Sequence, residues 1–159
     1  MSVQRKPPAC RTLAIAIREA QSSADMAAAG RIYERAGRAA FTWRPPEYFQ
    51  ANLLSALSKD ETIWLAVFGD SVVGFLSLYR EGQFVHSLYV DPDAQDLGVG
   101  RALVAHVRAL VRGPLTLKLD APNEAAIAFY EATGWKKLDG PDDSGIDEAG
   151  IRWLRYRLD

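Results

Sequence analysis

The part of this sequence that most limits its fold runs from Gln83 to Asp120. "QFVHSLYVDP" reads as a strand. After a loop, residues from about Gly98 to Arg112 follow a helical period, with Val99, Leu103, Val104, Val107, Leu110 and Val111 on one stripe. Gly113 and Pro114 stop that helix. "LTLKLD" then reads as the next strand. Two strands joined through a helix in so short a span lie parallel in one sheet, and the apolar stripe packs the helix against that sheet.

Around this crossover the chain reads differently. "TLAIAIREA" alternates, with Leu13, Ile15 and Ile17 on one face, and makes a first strand. "SADMAAAGRIYERAG" makes a helix that starts after Ser22 and Ser23, either of which can cap it, and ends near Gly37. Pro45 and Pro46 open a second helix reaching about Leu57. "TIWLAVF" and "SVVGFLSLYR" are strands joined by a tight Gly69-Asp70 turn, and "EG" leads back into the fourth strand. Beyond "LTLKLD", Asn123 caps a helix to about Thr133. Gly134 ends it, "WKKLD" is a short sixth strand, "GPDDSGIDEAG" a polar loop, and "IRWLRYRL" closes the sheet. The expected class is α/β: a mixed, mostly antiparallel sheet of six to seven strands, flanked on both faces by about four helices. Residues 1–11 read as a disordered lead-in and residues 12–159 as one domain.

Composition excludes several functions. Net charge is −1, which gives no domain-wide basic field for nucleic acid. Cys10 is the one cysteine, so there is no internal disulfide, and with two histidines no metal site is expected. No apolar run is long enough for a membrane span, and "MSVQRKPPACR" lacks the apolar core of a secretory leader. A cytoplasmic protein is expected.

"DPDAQDLGVGRAL" carries the functional signal. A helix start offers free backbone N–H groups and partial positive charge, so an anionic phosphate can sit there without lysine. Glycine lets the backbone turn and the ligand approach. Gly98 and Gly100 therefore suggest a main-chain phosphate cradle. The pattern G-x-x-x-x-G-K-[ST] is absent. The dinucleotide pattern G-x-G-x-x-G fails at Leu103, and Asp91 to Leu97 separate the glycines from the strand.

The stretch resembles the acetyl-coenzyme A signature of the GCN5-related N-acetyltransferases, Q/R-x-x-G-x-G/A, with Gln95, Gly98 and Gly100 after a strand ending in Val90 and Pro92. "NEAAIAFYEATGW" resembles the family's second element through Asn123, Ala126, Phe129, Tyr130, Gly134 and Trp135. The order of elements is similar to the family's from about Thr12 onward. Asp96 departs from the pattern, standing where many members carry Arg or Gly; Arg101 is the expected compensating charge.

The resemblance implies direct transfer of an acetyl group from acetyl-CoA, the co-substrate, to a primary amine on a small molecule or peptide. The other reading it leaves is a non-catalytic CoA-binding sensor of the same fold. It implies that strands four and five splay, that Leu88, Tyr89 and Val90 pair with pantetheine, and that the amides of Asp96, Leu97, Gly98, Val99, Gly100, Arg101 and Ala102 hold the diphosphate. Gln95, Asn123 and Phe129 join the CoA site through their motifs. Tyr130 matches the family's acid. Family bases on strand four fall at Gly82, Phe84 or His86, of which only His86 can take a proton near neutrality. His106 is expected on solvated helix surface. The acceptor side is expected to combine an aromatic wall, Phe41, Trp43 and Tyr48, with an acidic rim, Asp139, Asp142, Asp143, Asp147 and Glu148. An amine acceptor is the expected partner, with monomer and homodimer both open.

Overall fold

The structure, a computed structural model, describes residues 14–159. The expected lead-in, Cys10, and the start of the first strand at Thr12 and Leu13 lie outside the described residues.

One sheet organises the chain. Its strands are β1 (Ile15–Glu19), β2 (Thr62–Phe68), β3 (Ser71–Tyr79), β4 (Phe84–Val90), β5 (Leu115–Asp120), β6 (Lys136–Lys137), β7 (Ser144–Ile146) and β8 (Arg152–Leu158). The order is β1-β2-β3-β4-β5-β8-β6, with β7 also on β8. Among the described residues only β4 and β5 run parallel, as the helical crossover between them requires. Their pairing is brief. Phe84 faces Thr116 and Val85 faces Leu117, and beyond Val85 the two strands have no register partners. The sheet therefore opens between β4 and β5 while staying closed on both flanks, where β3 continues with β4 to Val90 and β8 with β5 to Asp120.

The helices are α1 (Ser23–Ala40), α2 (Leu54–Leu57), α3 (Val99–Leu110) and α4 (Glu124–Ala132). Ser22 caps α1, its side chain accepting from the Asp25 N–H. On one face of the sheet, Ala29, Ile32, Tyr33 and Ala36 of α1 meet Ile63, Leu65 and Phe75. On the other, Val99, Leu103, Val104 and Val107 of α3 and Tyr130 of α4 meet Leu76, Leu78, Val85 and Leu117. Leu103 and Val107 are fully buried, each stabilising the fold by roughly 1.5–3 kcal/mol.

Several expectations need correction. α1 runs past Gly37, which is no stop signal: Phe49 packs so closely that a Cβ at Gly37 would lie 2.2 Å from its ring. The second helix is broken into two 3-10 turns, Pro46–Tyr48 and Ala51–Leu53, before the four-residue α2. That segment is shaped by burying Phe49 and Leu54 rather than by a helical stripe. The polar loop contains β7, which brings the sheet to eight strands. β8 does not close the sheet at an edge; it lies between β5 on one side and β6 and β7 on the other. Gly82 falls in the β3–β4 turn. Leu110 is exposed. His106 is not solvated surface, since its ring packs 4.7 Å from Trp64 and its Nε2 is buried.

Candidate active site

The opening between β4 and β5 leads at its wide end to the loop before α3. There a 3-10 turn, Pro92–Ala94, is capped by Asp91, whose carboxylate accepts from the Asp93 N–H. Asp96 and Gly98 both take left-handed backbone, at φ 63° and 80°. Gly98 is the N-cap of α3 with no side-chain capping bond, and the first turn holds no acidic residue. The helix start is thus left bare of side-chain acceptors, with positive dipole and free N–H groups. A Cβ at Gly98 would meet nothing within 4 Å, so space is open above the amides. Gln95, Asp96, Leu97 and Arg101 are exposed around it and Ala102 lies partly buried one turn in. These features suit an anionic diphosphate. Gly100 differs, because a Cβ there would lie 3.1 Å from the Phe129 ring of α4. Its lack of a side chain lets the two helices approach.

Asn123 caps α4, its Oδ1 accepting from the Ala126 N–H. The cap fixes where α4 begins, and so where Phe129 and Tyr130 project. Tyr130 is held edge-on between Phe129 and Trp135, at centroid distances of 5.2 and 5.5 Å. Burial pushes its phenol well above the usual tyrosine range, which keeps it protonated at neutral pH.

His86 stands just past the last β4–β5 pair. Its surroundings come from an irregularity the sequence did not announce. Ser77 pairs with Ser87 and Leu78 with Val85, so His86 is the extra residue of a β-bulge. The bulge breaks the two-residue alternation: Val85, Leu88 and Val90 all face the α3 side, while Tyr89 faces α1. His86 meets Glu61, two residues before the α1-side Ile63, and its Nδ1–H donates to Glu61 Oε1 at 2.7 Å. Glu61 immediately precedes β2, the strand beyond β3, and sequence reasoning passed over it entirely. The hydrogen bond to that carboxylate raises the His86 pKa above the ordinary histidine value, against the lowering effect of burial.

The acceptor-side expectations are partly redrawn. Trp43 Nε1 donates to Asp120 Oδ2 at 2.9 Å. Arg44 forms a two-pronged pair with Asp120, at 2.7 and 2.8 Å, and reaches Asp147 at 2.8 Å. Its guanidinium lies 4.9 Å from the Tyr48 ring centroid. The expected acidic rim is therefore engaged in part. Asp147 is neutralised by Arg44, which holds its carboxyl below the usual range, and Asp143 accepts from the Gly140 N–H and sits 3.3 Å from Arg155. Phe41 does join an aromatic cluster, with Trp43 at 5.2 Å and Tyr89 at 5.9 Å. Tyr33, whose hydroxyl donates to the Tyr48 carbonyl, lies in that cluster and is pushed up to about 12 by burial. Arg44 and Tyr33 could have been suspected only from being near the aromatic stretch.

A sheet opened between one parallel pair, with a bare helix start at its mouth and a tyrosine-bearing helix beside it, defines a class of acyl-group transferases built around a nucleotide thioester. The chain belongs to the Acetyltransferase (GNAT) family, whose profile matches residues 26–135. It is similar to the peptidyl-lysine N-acetyltransferase YjaB of Escherichia coli, with 39% identity over 87 residues, 54% of this chain and 56% of that protein. It is also similar to the [ribosomal protein bS18]-alanine N-acetyltransferase of Salmonella typhimurium, with 32% identity over 124 residues, 73% of this chain and 78% of that protein. With the first of these and several other curated relatives the match spans about half of the relative's length. Over the whole fold, the solution structure of apo-form YjaB from E. coli superposes with a TM-score of 0.73 at 28% identity, covering 91% of this chain and 97% of that one. The acetyltransferase PaiA of Thermoplasma acidophilum, solved with coenzyme A, shares the fold at a TM-score of 0.68 and 15% identity, covering 89% of this chain and 98% of that one.

Proposed function

We propose that this protein is an N-acetyltransferase that uses acetyl-CoA and acts on a primary amine carried by a peptide. The observation that carries the reading is the conjunction of the β4–β5 opening beyond Val85 with the uncapped α3 start at Gly98. The first leaves strand-edge backbone groups of Leu88, Tyr89 and Val90 for an extended pantetheine. The second leaves amides for a diphosphate, from Asp96 to Ala102, with Gln95 and Arg101 at its rim. The peptide acceptor is supported by the two similar proteins just named, one a peptidyl-lysine and one a protein-alanine acetyltransferase.

Acetyl-CoA supplies an acetyl group activated as a thioester. The amine nitrogen attacks its carbonyl carbon; a C–N bond forms and the C–S bond breaks. His86 Nε2 receives the amine's proton, since Nδ1 is engaged by Glu61. Tyr130, kept protonated by burial, gives its hydroxyl proton to the departing sulfur. Trp43 and Tyr48, on either side of Arg44, border the acceptor's approach. Direct transfer is favoured over an acyl-enzyme route because the described residues include no cysteine to serve as nucleophile.

The test is turnover of acetyl-CoA, followed as free thiol, across a panel of amines: a lysine-containing peptide, a peptide with N-terminal alanine, and small polyamines. Mass spectrometry then locates the acetyl group. Transfer to a peptide amine is expected. CoA binding with no transfer to any amine would leave a binding module.

A further inference from the structure

His86 is on β4 and Glu61 immediately precedes β2, and those two strands do not touch. β3 lies between β2 and β4, and the two side chains meet across it. On β3 between them, Ser77 pairs with Ile63 on one side and Ser87 on the other and is completely buried. Phe75, two residues earlier on the same face, is a full aromatic in the core. A side chain of that size at Ser77 would separate Glu61 from His86. The contact thus depends on three local features: a small residue on β3, a bulge at His86, and an acid at the mouth of β2.

The arrangement is a poor way to gain stability. The Glu61 side chain is 10% exposed, and its Oε2, like Ser77 Oγ, is buried with no hydrogen-bond partner among the described residues. A buried polar atom left unpaired costs stability. What the arrangement does achieve is directional. A carboxylate only accepts, so the hydrogen it binds on His86 must be on Nδ1. Nε2 then carries the lone pair, on a side chain still 43% exposed.

We propose that Glu61 is a positioning residue for the acetyl transfer: through the Nδ1–H···Oε1 bond it holds the His86 imidazole in the tautomer and orientation that leave Nε2 open to the acceptor amine's proton. This rests on the reading of His86 as the base. Glu61 is the charged group found to act on His86 among the described residues. Ser77 and Leu78 on β3, and Phe84 and Ser87 on β4, are uncharged neighbours. Of the other charges in this region, Glu81 accepts from Tyr79 at 3.0 Å and Lys118 of β5 lies 4.2 Å over the Trp153 ring, while Glu19 and Lys59 line the same hollow as Glu61 and Asp60 is its chain neighbour.

Nitrogen-15 spectra of the imidazole in the full chain, assigned by the signal lost in His86→Ala, test the pair directly. In the wild type, neutral His86 should carry its hydrogen on Nδ1. Glu61→Gln should move the His86 titration to lower pH and move the acid limb of the pH–rate profile by the same amount. It should also lower kcat by on the order of 10-fold, part of the ~10²–10⁴ that a positioned base supplies, while calorimetry with CoA gives an unchanged affinity. Neutral wild-type His86 with its hydrogen on Nε2 would overturn the proposal, and needs no variant. So would a Glu61→Gln protein whose titration and rate limb both stay in place. A third result separates the premise: if Glu61→Gln shifts the His86 titration but the wild-type rate limb never coincided with it, His86 is not the base, and the proposal falls with that assignment although the pair is real.

Discussion

At Gly98 the backbone sits at φ 80° with open space above it, whereas Gly100 faces the Phe129 ring at 3.1 Å. Different substitutions should therefore fail differently. Gly98→Ala places a side chain in left-handed backbone and should cost about 1 kcal/mol, measurable by urea unfolding, together with weaker CoA binding in calorimetry. Gly100→Val forces side-chain carbons against Phe129 and should destabilise the CoA-free protein by roughly 1–3 kcal/mol. Gly100 is then a test of packing between α3 and α4, and Gly98 the cleaner test of the cradle. Tyr130→Phe keeps the ring between Phe129 and Trp135. It should leave stability and CoA affinity nearly unchanged and lower turnover by about 10²-fold. Wild-type turnover in steady-state assays of that variant would remove Tyr130 from the proton transfer.

Among the elements, the segment between α1 and β2 is tied down by charge. Arg44, 9% exposed, ties it to the end of β5 through Asp120 and to the β7–β8 connection through Asp147. Arg44→Met should leave two carboxylates facing each other and destabilise by on the order of 2 kcal/mol, less than a fully buried broken pair. Hydrogen exchange should quicken around residues 41–49 first, with CoA affinity retained. That tie was illegible in the sequence because its partners are 76 and 103 residues away from Arg44. The α3 and α4 helices were legible because their signals are local: an apolar stripe, a Gly-Pro stop, an asparagine cap. β7 was hidden inside a polar loop because only pairing with β8 makes Ser144–Ile146 a strand. The bulge at His86 was invisible for a related reason. Reading residues two apart as sharing a face assumes an uninterrupted ladder, and the extra residue in β4 is a property of its pairing with β3. The position of His86 on the strand could be read in advance; its partner could not.

For the whole molecule, the shifted groups set a pH window. His86 is raised in the folded chain by Glu61, so its contribution is complete below the ordinary histidine value of about 6.5 and is lost as pH rises through the folded value. Asp25, bonded by Arg18, and Asp147, bonded by Arg44, are lowered; their contributions are complete above the ordinary carboxylate value of about 3.9 and are lost as pH falls through the lowered values. Stability should be greatest between these limits. Urea midpoints at pH 5 and pH 9 should differ less in Glu61→Gln than in the wild type, because that variant removes the histidine's share of the decline. The placement of β8 bears on how the molecule comes to exist at all. This strand follows the other seven in the chain, yet it supplies the partner for all of β5 and for both β6 and β7. During synthesis, β5 must leave the ribosome with Leu117 and Leu119 along an unpaired edge and wait for some thirty residues more before β8 can cover it, a long-range closure of the kind that slows folding and invites mispairing.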